Sequence, residues 1–210
     1  MMSKVRTFIL HPFSCTIKGL KFLYARSRFG EIHWSDRVGK ALLITPEYIF
    51  MSEHVSIMPN ARIEGVSRYN DVAFTPRIEF GENVKIQQGL HLTCANRIVI
   101  GPGTAIAAYV TITDVMHPYD DISRPIEAQN LVVSEVYIAE ECKINNGAVI
   151  LPGVHIGKHV TIGANTVVNK DIPDYSVAVG SPVRIVKRYN FDTACWEKTD
   201  NAGNFLKGNE

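Results

Sequence analysis

The stretch VVSEVYIAEECKINNGAVILPGVHIGKHVTIGANTVV, residues 132–168, repeats an aliphatic side chain at every sixth position. The residues in this phase are Val132, Ile138, Ile144, Ile150, Ile156, Ile162 and Val168. A second small or apolar residue stands two positions before each of the later ones, and a spacing of two places both side chains on one face of an extended strand. Each hexad therefore predicts a short strand with two inward residues, followed by a turn.

The turns of these hexads carry Asn145, Gly153, Gly157 and Gly163, which tolerate the backbone angles of a tight corner. Three strands per circuit give a coil of about 18 residues, and stacked coils form a parallel β-helix. The ladder continues upstream in separate phases, at Phe80, Ile86, Leu92 and Ile98, at Ile100, Ile106 and Ile112, and at Ile57 and Ile63. The pattern predicts an all-β fold with an inserted loop at GVSRYNDVAFTPR, residues 65–77.

The six-residue repeat is interrupted between Ile112 and Val132. The distance between these two residues exceeds three hexads by two positions. The chain must leave the ladder there, and we predict an inserted loop over residues 114–130 in which His117 is the only imidazole. Because the ends of a stack of coils need covering, we expect a short helical N-terminal cap over residues 1–45. The β-helix then covers residues 46–188, and a C-terminal extension covers residues 189–210.

Composition narrows the functional classes. The 210 residues carry a net charge of +1 and no nucleic-acid motif, which argues against a nucleic-acid partner. The four cysteines are far apart and predict free thiols in a reducing compartment, hence a cytoplasmic protein. Residues 1–30 are basic without any acidic residue. The segment Thr16–Tyr24 is read either as a helix capping the fold or as a basic amphipathic helix in peripheral contact with the inner membrane surface.

The hexads, together with NKDIPDYSVAVGSPVRIVKR at residues 169–188, resemble the hexapeptide-repeat acyltransferases. The similarity covers roughly residues 50–190 and is greatest to galactoside, maltose and capsule or lipopolysaccharide O-acetyltransferases. It implies a left-handed parallel β-helix, a homotrimer with active sites between neighbouring subunits, and acetyl-CoA as co-substrate with no metal required.

The resemblance also implies roles for particular residues. His117 would act as the general base that takes the proton from an acceptor hydroxyl, a task for which neutral imidazole is suited at neutral pH. Asp114 or a backbone carbonyl would orient its second ring nitrogen. Gln87 stands where the family has an acceptor-binding Asn, so the amide is kept on a longer arm; the alternative is that Gln87 is simply an outward-facing polar residue of the ladder. Asp114 and Tyr119 are interpreted either as acceptor-binding residues or as parts of the loop.

For coenzyme A, the resemblance implies a channel along the later coils past Asn146 and Ala164. Asn169, Lys170, Arg184 and Lys187 would follow near the adenosine phosphates, where cations are needed. The chain departs from the family at Lys143 and Asn145. In many members, a Trp and a Gly stand at these positions on either side of the inward residue that corresponds to Ile144. Lys143 does not supply an aromatic wall, so the acceptor pocket is expected to differ.

The sequence therefore predicts transfer of acetyl to a sugar hydroxyl, in a surface polysaccharide or its precursor. An amino-sugar N-acetyltransferase is the main alternative, because the same base serves an amine. A non-catalytic β-helix scaffold is a second alternative. A zinc enzyme of the carbonic-anhydrase kind is disfavoured, because the stretch Ile144–Gly153 lacks the histidine pair that this class requires.

Overall fold

The computed structural model describes residues 18–206, which form a three-sided body of stacked coils, here called the prism. Residues 18–26 form a helix, α1. The chain then visits sheets 1, 2 and 3 in turn, coil after coil, and neighbouring coils pair as parallel strands. Because each strand lies directly over the corresponding strand of the previous coil, the backbone of every coil is paired with its neighbours.

The strands are short and occupy the three sides in strict order. Sheet 1 contains β1 (Arg37–Val38), β4 (Ser56–Ile57), β9 (Lys85–Ile86), β12 (Ala105–Ile106), β17 (Lys143–Ile144), β20 (Thr161–Ile162) and β22 (Ser176–Val179). Sheet 2 contains β2 (Leu43–Ile44), β5 (Arg62–Gly65), β10 (His91–Cys94), β13 (Thr111–Thr113), β18 (Val149–Ile150) and β21 (Val167–Val168). Sheet 3 contains β3 (Ile49–Met51), β8 (Arg77–Phe80), β11 (Arg97–Ile100), β16 (Val136–Ile138) and β19 (His155–Ile156).

Four strands lie off the prism in two antiparallel pairs, β6 (Arg68–Tyr69) with β7 (Val72–Ala73), and β14 (Val115–Met116) with β15 (Val132–Val133). Short 3-10 turns cover Pro46–Tyr48 and Ile126–Ala128. The β6–β7 pair lies within residues 65–77, and the β14–β15 pair closes an excursion that extends past residue 130 to Val133. At the C-terminal end, β23 (Arg184–Asn190) and β24 (Cys195–Lys198) extend sheet 1 as an antiparallel pair.

The core is the stack of aliphatic residues that the hexads predicted. Ile106 pairs with Ile86 and Ile144 along sheet 1, and the equivalent columns of sheets 2 and 3 are also buried. Burial of this apolar surface is the main term stabilising the fold. One predicted rung is wrong: Val132 is exposed, because it pairs with Met116 in the excursion instead of entering the prism.

At the corners between the sheets, a left-handed backbone conformation recurs every six residues. Positive φ angles recur at Glu141, Gly147, Gly153, His159 and Asn165. Of the four predicted turn residues, only Gly153 occupies this left-handed position. Gly157 is needed for a different reason, because a Cβ there would lie 2.6 Å from the backbone nitrogen of Asp174.

The parallel sheets begin at Arg37, upstream of the expected boundary at residue 46. In helix α1, Phe22 and Ala25 pack against the core, and the Phe22 ring lies 5.1 Å from that of Trp34. Among residues 18–206, no helix is both long and apolar enough to span a bilayer. Three of the cysteines are free thiols, and Cys15 lies outside the described residues, as do Thr16 and Ile17 of the expected N-terminal helix.

Candidate active site

Two excursions leave the prism at the corner between sheets 2 and 3. The first runs from β5 to β8 and contains the β6–β7 hairpin, and the second runs from β13 to β16 and contains His117. In sheet 2, β10 lies between β5 and β13, and it reaches sheet 3 through Ala95 and Asn96 alone. The short turn of this intervening coil allows the two excursions to meet over it.

Asp114 anchors the second excursion to the prism. Its side chain is fully buried, and its carboxylate accepts hydrogen bonds from the N–H groups of Ala95 at 2.7 Å and Asn96 at 2.8 Å. The thiol of Cys94 donates a third at 3.3 Å, and burial, together with the nearby carboxylate, raises the pKa of that thiol far above its usual range. Asp114 is thus engaged in loop structure through three hydrogen bonds.

His117 follows β14 and is partly exposed, with 39% of its side-chain surface accessible. The group that faces its Nδ1 is the Tyr69 hydroxyl from the β6–β7 hairpin, at 3.4 Å. The two rings meet edge to face, with centroids 5.4 Å apart and planes at 76°. Among residues 18–206, the polar contacts of the His117 ring are made by Nδ1, and no hydrogen bond is formed by Nε2.

Glu127 completes this cluster from the 3-10 turn Ile126–Ala128. The Tyr69 hydroxyl donates a hydrogen bond to Glu127 Oε2 at 2.7 Å and lies 3.0 Å from the Glu127 carbonyl oxygen. That hydrogen bond is the main reason why the pKa of Tyr69 is raised, with smaller contributions from desolvation and the carboxylate charge. Glu127 Oε2 itself is 3.9 Å from His117 Nδ1. Tyr69 and Glu127 were not among the predicted site residues.

Asn70 ties the hairpin to the second excursion. Its side-chain amide donates hydrogen bonds to the carbonyl oxygens of Glu127 and Gln129, both at 3.3 Å. Gln129 is buried and donates in turn to the carbonyl oxygen of Asp121 at 3.1 Å. These bonds hold the His117 loop to a second structural element, in addition to its own β14–β15 pairing.

A second group of predicted residues lies on a different edge of the prism, the corner between sheets 1 and 2. Gln87 follows β9, Asn146 follows β17 and Ala164 follows β20, and all three are exposed. Backbone hydrogen bonds connect successive coils here, such as Asn165 N–H to the Asn146 carbonyl at 2.9 Å. A single chain therefore does not bring Gln87, Asn146 and Ala164 together at the corner that carries His117.

The remaining predicted residues are dispersed. Tyr119 is exposed on the His117 loop. Asn169 and Lys170 follow β21 at the corner between sheets 2 and 3, and the ammonium of Lys170 lies 3.4 Å from the Asn201 carbonyl. Arg184 and Lys187 are exposed on β23, next to sheet 1.

Lys143 and Asn145, the two residues that depart from the family pattern, lie on and directly after β17. Lys143 is exposed on β17, and the Asn145 side-chain amide donates to the Ile162 carbonyl at 2.7 Å. Within the described part of the chain, no three His, Cys, Asp or Glu residues form a group that could hold a metal ion.

Comparison with known proteins agrees with this architecture. The family model described as bacterial transferase hexapeptide (six repeats) matches residues 135–170. A putative lipopolysaccharide biosynthesis O-acetyl transferase of Escherichia coli is 35% identical over 128 residues, which are 58% of this chain and 65% of that protein. A galactoside O-acetyltransferase of Lactococcus lactis is 35% identical over 113 residues, or 54% of each chain. The chain thus spans less than two thirds of the length of these curated relatives.

Solved structures show the shared fold. A galactoside acetyltransferase in complex with coenzyme A superimposes with a TM-score of 0.53 at 20% identity, covering 92% of this chain and 90% of that one. A hexapeptide-repeat containing acetyltransferase from Vibrio cholerae gives a TM-score of 0.54, also at 20% identity, over 82% of this chain and 81% of its own. The prism is therefore the fold of these two acetyltransferases.

Proposed function

Because this chain carries the hexapeptide repeats of the bacterial transferases, we propose that it is an acetyl-CoA-dependent O-acetyltransferase that acts on a sugar hydroxyl. The observation that carries the proposal is His117, which is held on a loop outside the prism and whose Nε2 forms no hydrogen bond within residues 18–206. The names of the curated relatives support acetyl transfer, and that of the lipopolysaccharide O-acetyl transferase supports an acceptor in a surface polysaccharide or its precursor. The left-handed coiling implied by the resemblance belongs to the same proposal.

The reaction assigned to His117 is a balanced proton and acetyl transfer. Nε2 takes the proton of the acceptor hydroxyl while the hydroxyl oxygen attacks the thioester carbonyl of acetyl-CoA. The tetrahedral intermediate then collapses, the C–S bond breaks, and the imidazolium returns the proton to the departing thiolate. An ordinary imidazole, with a pKa of about 6.5, is basic enough for the first step and acidic enough for the second. The products are the acetyl ester and free coenzyme A.

We place the acetyl-CoA site along the corner between sheets 1 and 2. Asn146 and Ala164 are exposed there, and the preceding coil contributes the small residues Ala107 and Ala108. A straight edge with small side chains suits an extended pantetheine arm. We assign the adenosine phosphates to Arg184 and Lys187 on β23, together with Asn169 and Lys170 from the corner between sheets 2 and 3 of a neighbouring copy.

The proposed assembly is a homotrimer. His117 lies at the corner between sheets 2 and 3, whereas Gln87 and Asn146 lie at the corner between sheets 1 and 2. A rigid prism cannot fold these edges onto each other, so a complete site needs the His117 loop of one copy against the other corner of a second copy. In a closed ring of three copies, every His117 loop lies against the corner between sheets 1 and 2 of a neighbouring copy.

We also propose peripheral contact with an anionic membrane surface through helix α1. Its exposed face carries Leu20, Leu23 and Tyr24, each more than 60% exposed, while Phe22 packs inward. Lys18, Lys21, Arg26 and Arg28 lie on or next to the same helix, and no acidic residue precedes Glu31. Exposed apolar side chains among basic ones are typical of a helix lying at a lipid headgroup layer.

An amino-sugar acceptor is the alternative within the same chemistry, because an amine attacks the thioester through the same base. The deciding experiment incubates the protein with acetyl-CoA and paired sugars that differ only in a hydroxyl or an amino group. Thiol release is followed, and the products are identified by mass spectrometry. We expect hydroxyl acetylation; exclusive amide formation would favour the N-acetyltransferase. Absence of both acetyl-CoA binding and thiol release would favour the scaffold.

A further inference from the structure

We propose that Tyr69 and Glu127 are positioning residues that keep the proton of neutral His117 on Nδ1, so that Nε2 is the basic nitrogen. The inference deepens the proposed function, since it rests on His117 as the base. It assigns a role at the proposed site to the β6–β7 hairpin, which carries Tyr69.

The direction of each hydrogen bond follows from the number of protons available. The Tyr69 hydroxyl has one proton, and both groups that it approaches on Glu127, the carboxylate at 2.7 Å and the carbonyl at 3.0 Å, are acceptors only. That proton is therefore committed to Glu127. The phenol oxygen then offers only lone pairs to His117 Nδ1 at 3.4 Å, so a favourable contact requires a proton on Nδ1.

The opposite tautomer is disfavoured by the same atoms. With the proton on Nε2, the Nδ1 lone pair would face the lone pairs of Tyr69 and the charge of the Glu127 carboxylate at 3.9 Å. The Glu127 side chain is 79% exposed, so water screens its direct effect on the ring. Tyr69 is therefore the principal positioning residue, and Glu127 acts mainly by accepting the hydrogen bond of the Tyr69 hydroxyl, which orients the phenol.

The cluster is built to hold this geometry. The edge-to-face packing of Tyr69 on His117 limits rotation of the imidazole, and Asn70 ties the hairpin to the backbone on both sides of Ala128. Asp114, the other carboxylate near the start of the loop, is already occupied by Ala95 and Asn96. A donor–acceptor distance of 3.4 Å is long, and contacts of this kind tighten when substrate binds.

The sharpest variant is Tyr69→Phe, which keeps the ring and its packing but removes the hydroxyl. Tyr137→Phe is the matched control, because Tyr137 also lies beside a histidine, His155, with ring centroids 6.4 Å apart on sheet 3. Glu127→Gln removes the charge and keeps an oxygen acceptor for the phenol. All variants are compared by circular dichroism and by thermal unfolding before activity is measured.

The tautomer is read directly by ¹⁵N NMR of histidine-labelled protein, recorded at alkaline pH where imidazole side chains are neutral. We expect the Nδ1–H form to dominate in the wild type and the Nε2–H form to increase in Tyr69→Phe. In acetyl transfer, we expect kcat to fall about 10-fold in Tyr69→Phe and less in Glu127→Gln. The KM for acetyl-CoA should be unchanged, and Tyr137→Phe should behave as wild type.

The outcomes separate the two proposals. If Tyr69→Phe leaves both the tautomer and kcat unchanged while His117→Ala is inactive, the positioning role is wrong and the base assignment stands. If the tautomer shifts in Tyr69→Phe but His117→Ala retains full turnover, the positioning of the ring is confirmed and the base assignment fails. A fall in kcat without any tautomer change would overturn the proposal, because it would indicate a merely structural contact.

Discussion

The carboxylate of Asp114 accepts a hydrogen bond from the N–H of Ala95 at 2.7 Å, which joins the start of the His117 excursion to the turn of the preceding coil. The carboxylate is buried and surrounded by donors. In Asp114→Asn, the new amide N–H₂ would face a backbone N–H and leave a donor unsatisfied. We expect unfolding to become easier by about 1–3 kcal/mol. Urea unfolding measures this, with the exposed Asp120→Asn of the same loop as control; equal stability of both variants would contradict the anchor role.

Removing the proposed base should abolish most turnover without disturbing the fold. We expect His117→Ala to lose at least about a hundredfold in kcat, since general bases contribute roughly 10²–10⁴. Coenzyme A release reports turnover, and size-exclusion chromatography reports assembly. His155→Ala, on the exposed face of sheet 3, is the control. Near wild-type turnover of His117→Ala would refute the assignment.

Site sharing between subunits is tested by complementation. In mixed trimers of His117→Ala and Gln87→Ala, random assembly leaves about a quarter of the sites with both residues intact if they come from neighbouring copies. We therefore expect activity to return to about a quarter of wild type after equal co-expression. If both residues served one site from the same chain, no intact site would form and the mixture would stay as impaired as its parents.

The phosphate end of acetyl-CoA should depend on basic side chains. We expect Lys170→Glu combined with Arg184→Glu to raise the KM for acetyl-CoA by about 10-fold or more, because attraction is replaced by repulsion at the phosphates. The KM for the acceptor should not change. Lys40→Glu, at the opposite end of the prism beside β2, is the control. An unchanged KM in the double variant would argue against this location.

Membrane contact is tested by co-sedimentation with anionic liposomes. We expect Leu20→Ser with Leu23→Ser to reduce the bound fraction, and added salt to weaken binding by screening the basic side chains. Ile122→Ser is the control, because it removes an almost fully exposed apolar side chain from the His117 loop and not from α1. We expect this variant to bind as wild type. Equal sedimentation of the α1 double variant and the wild type would remove the membrane proposal.

Much of the prism was predictable because the aliphatic residues that form its core recur with a fixed spacing in the sequence. Inward residues such as Ile144 and Ile150 recur every sixth position, and each is buried for the same local reason. Val132 has the correct spacing and is nevertheless exposed, because counting cannot show that the strand pairs with Met116 outside the prism. The corner positions of Glu141 and His159 were also not predictable from the sequence, because both residues adopt a positive φ angle without being glycine.

The sequence by itself determined the repeat, the place where it breaks and the histidine within that break. Only the tertiary structure decided what surrounds His117. Tyr69 is 48 residues away and comes from a separate insertion, and no local pattern pairs it with Glu127. The contact arises because β5 and β13 flank β10 in sheet 2 and send their excursions from the same corner. Stacking of coils converts a fixed spacing along the chain into neighbouring positions in space, and the side chains that meet there are set by both excursions together.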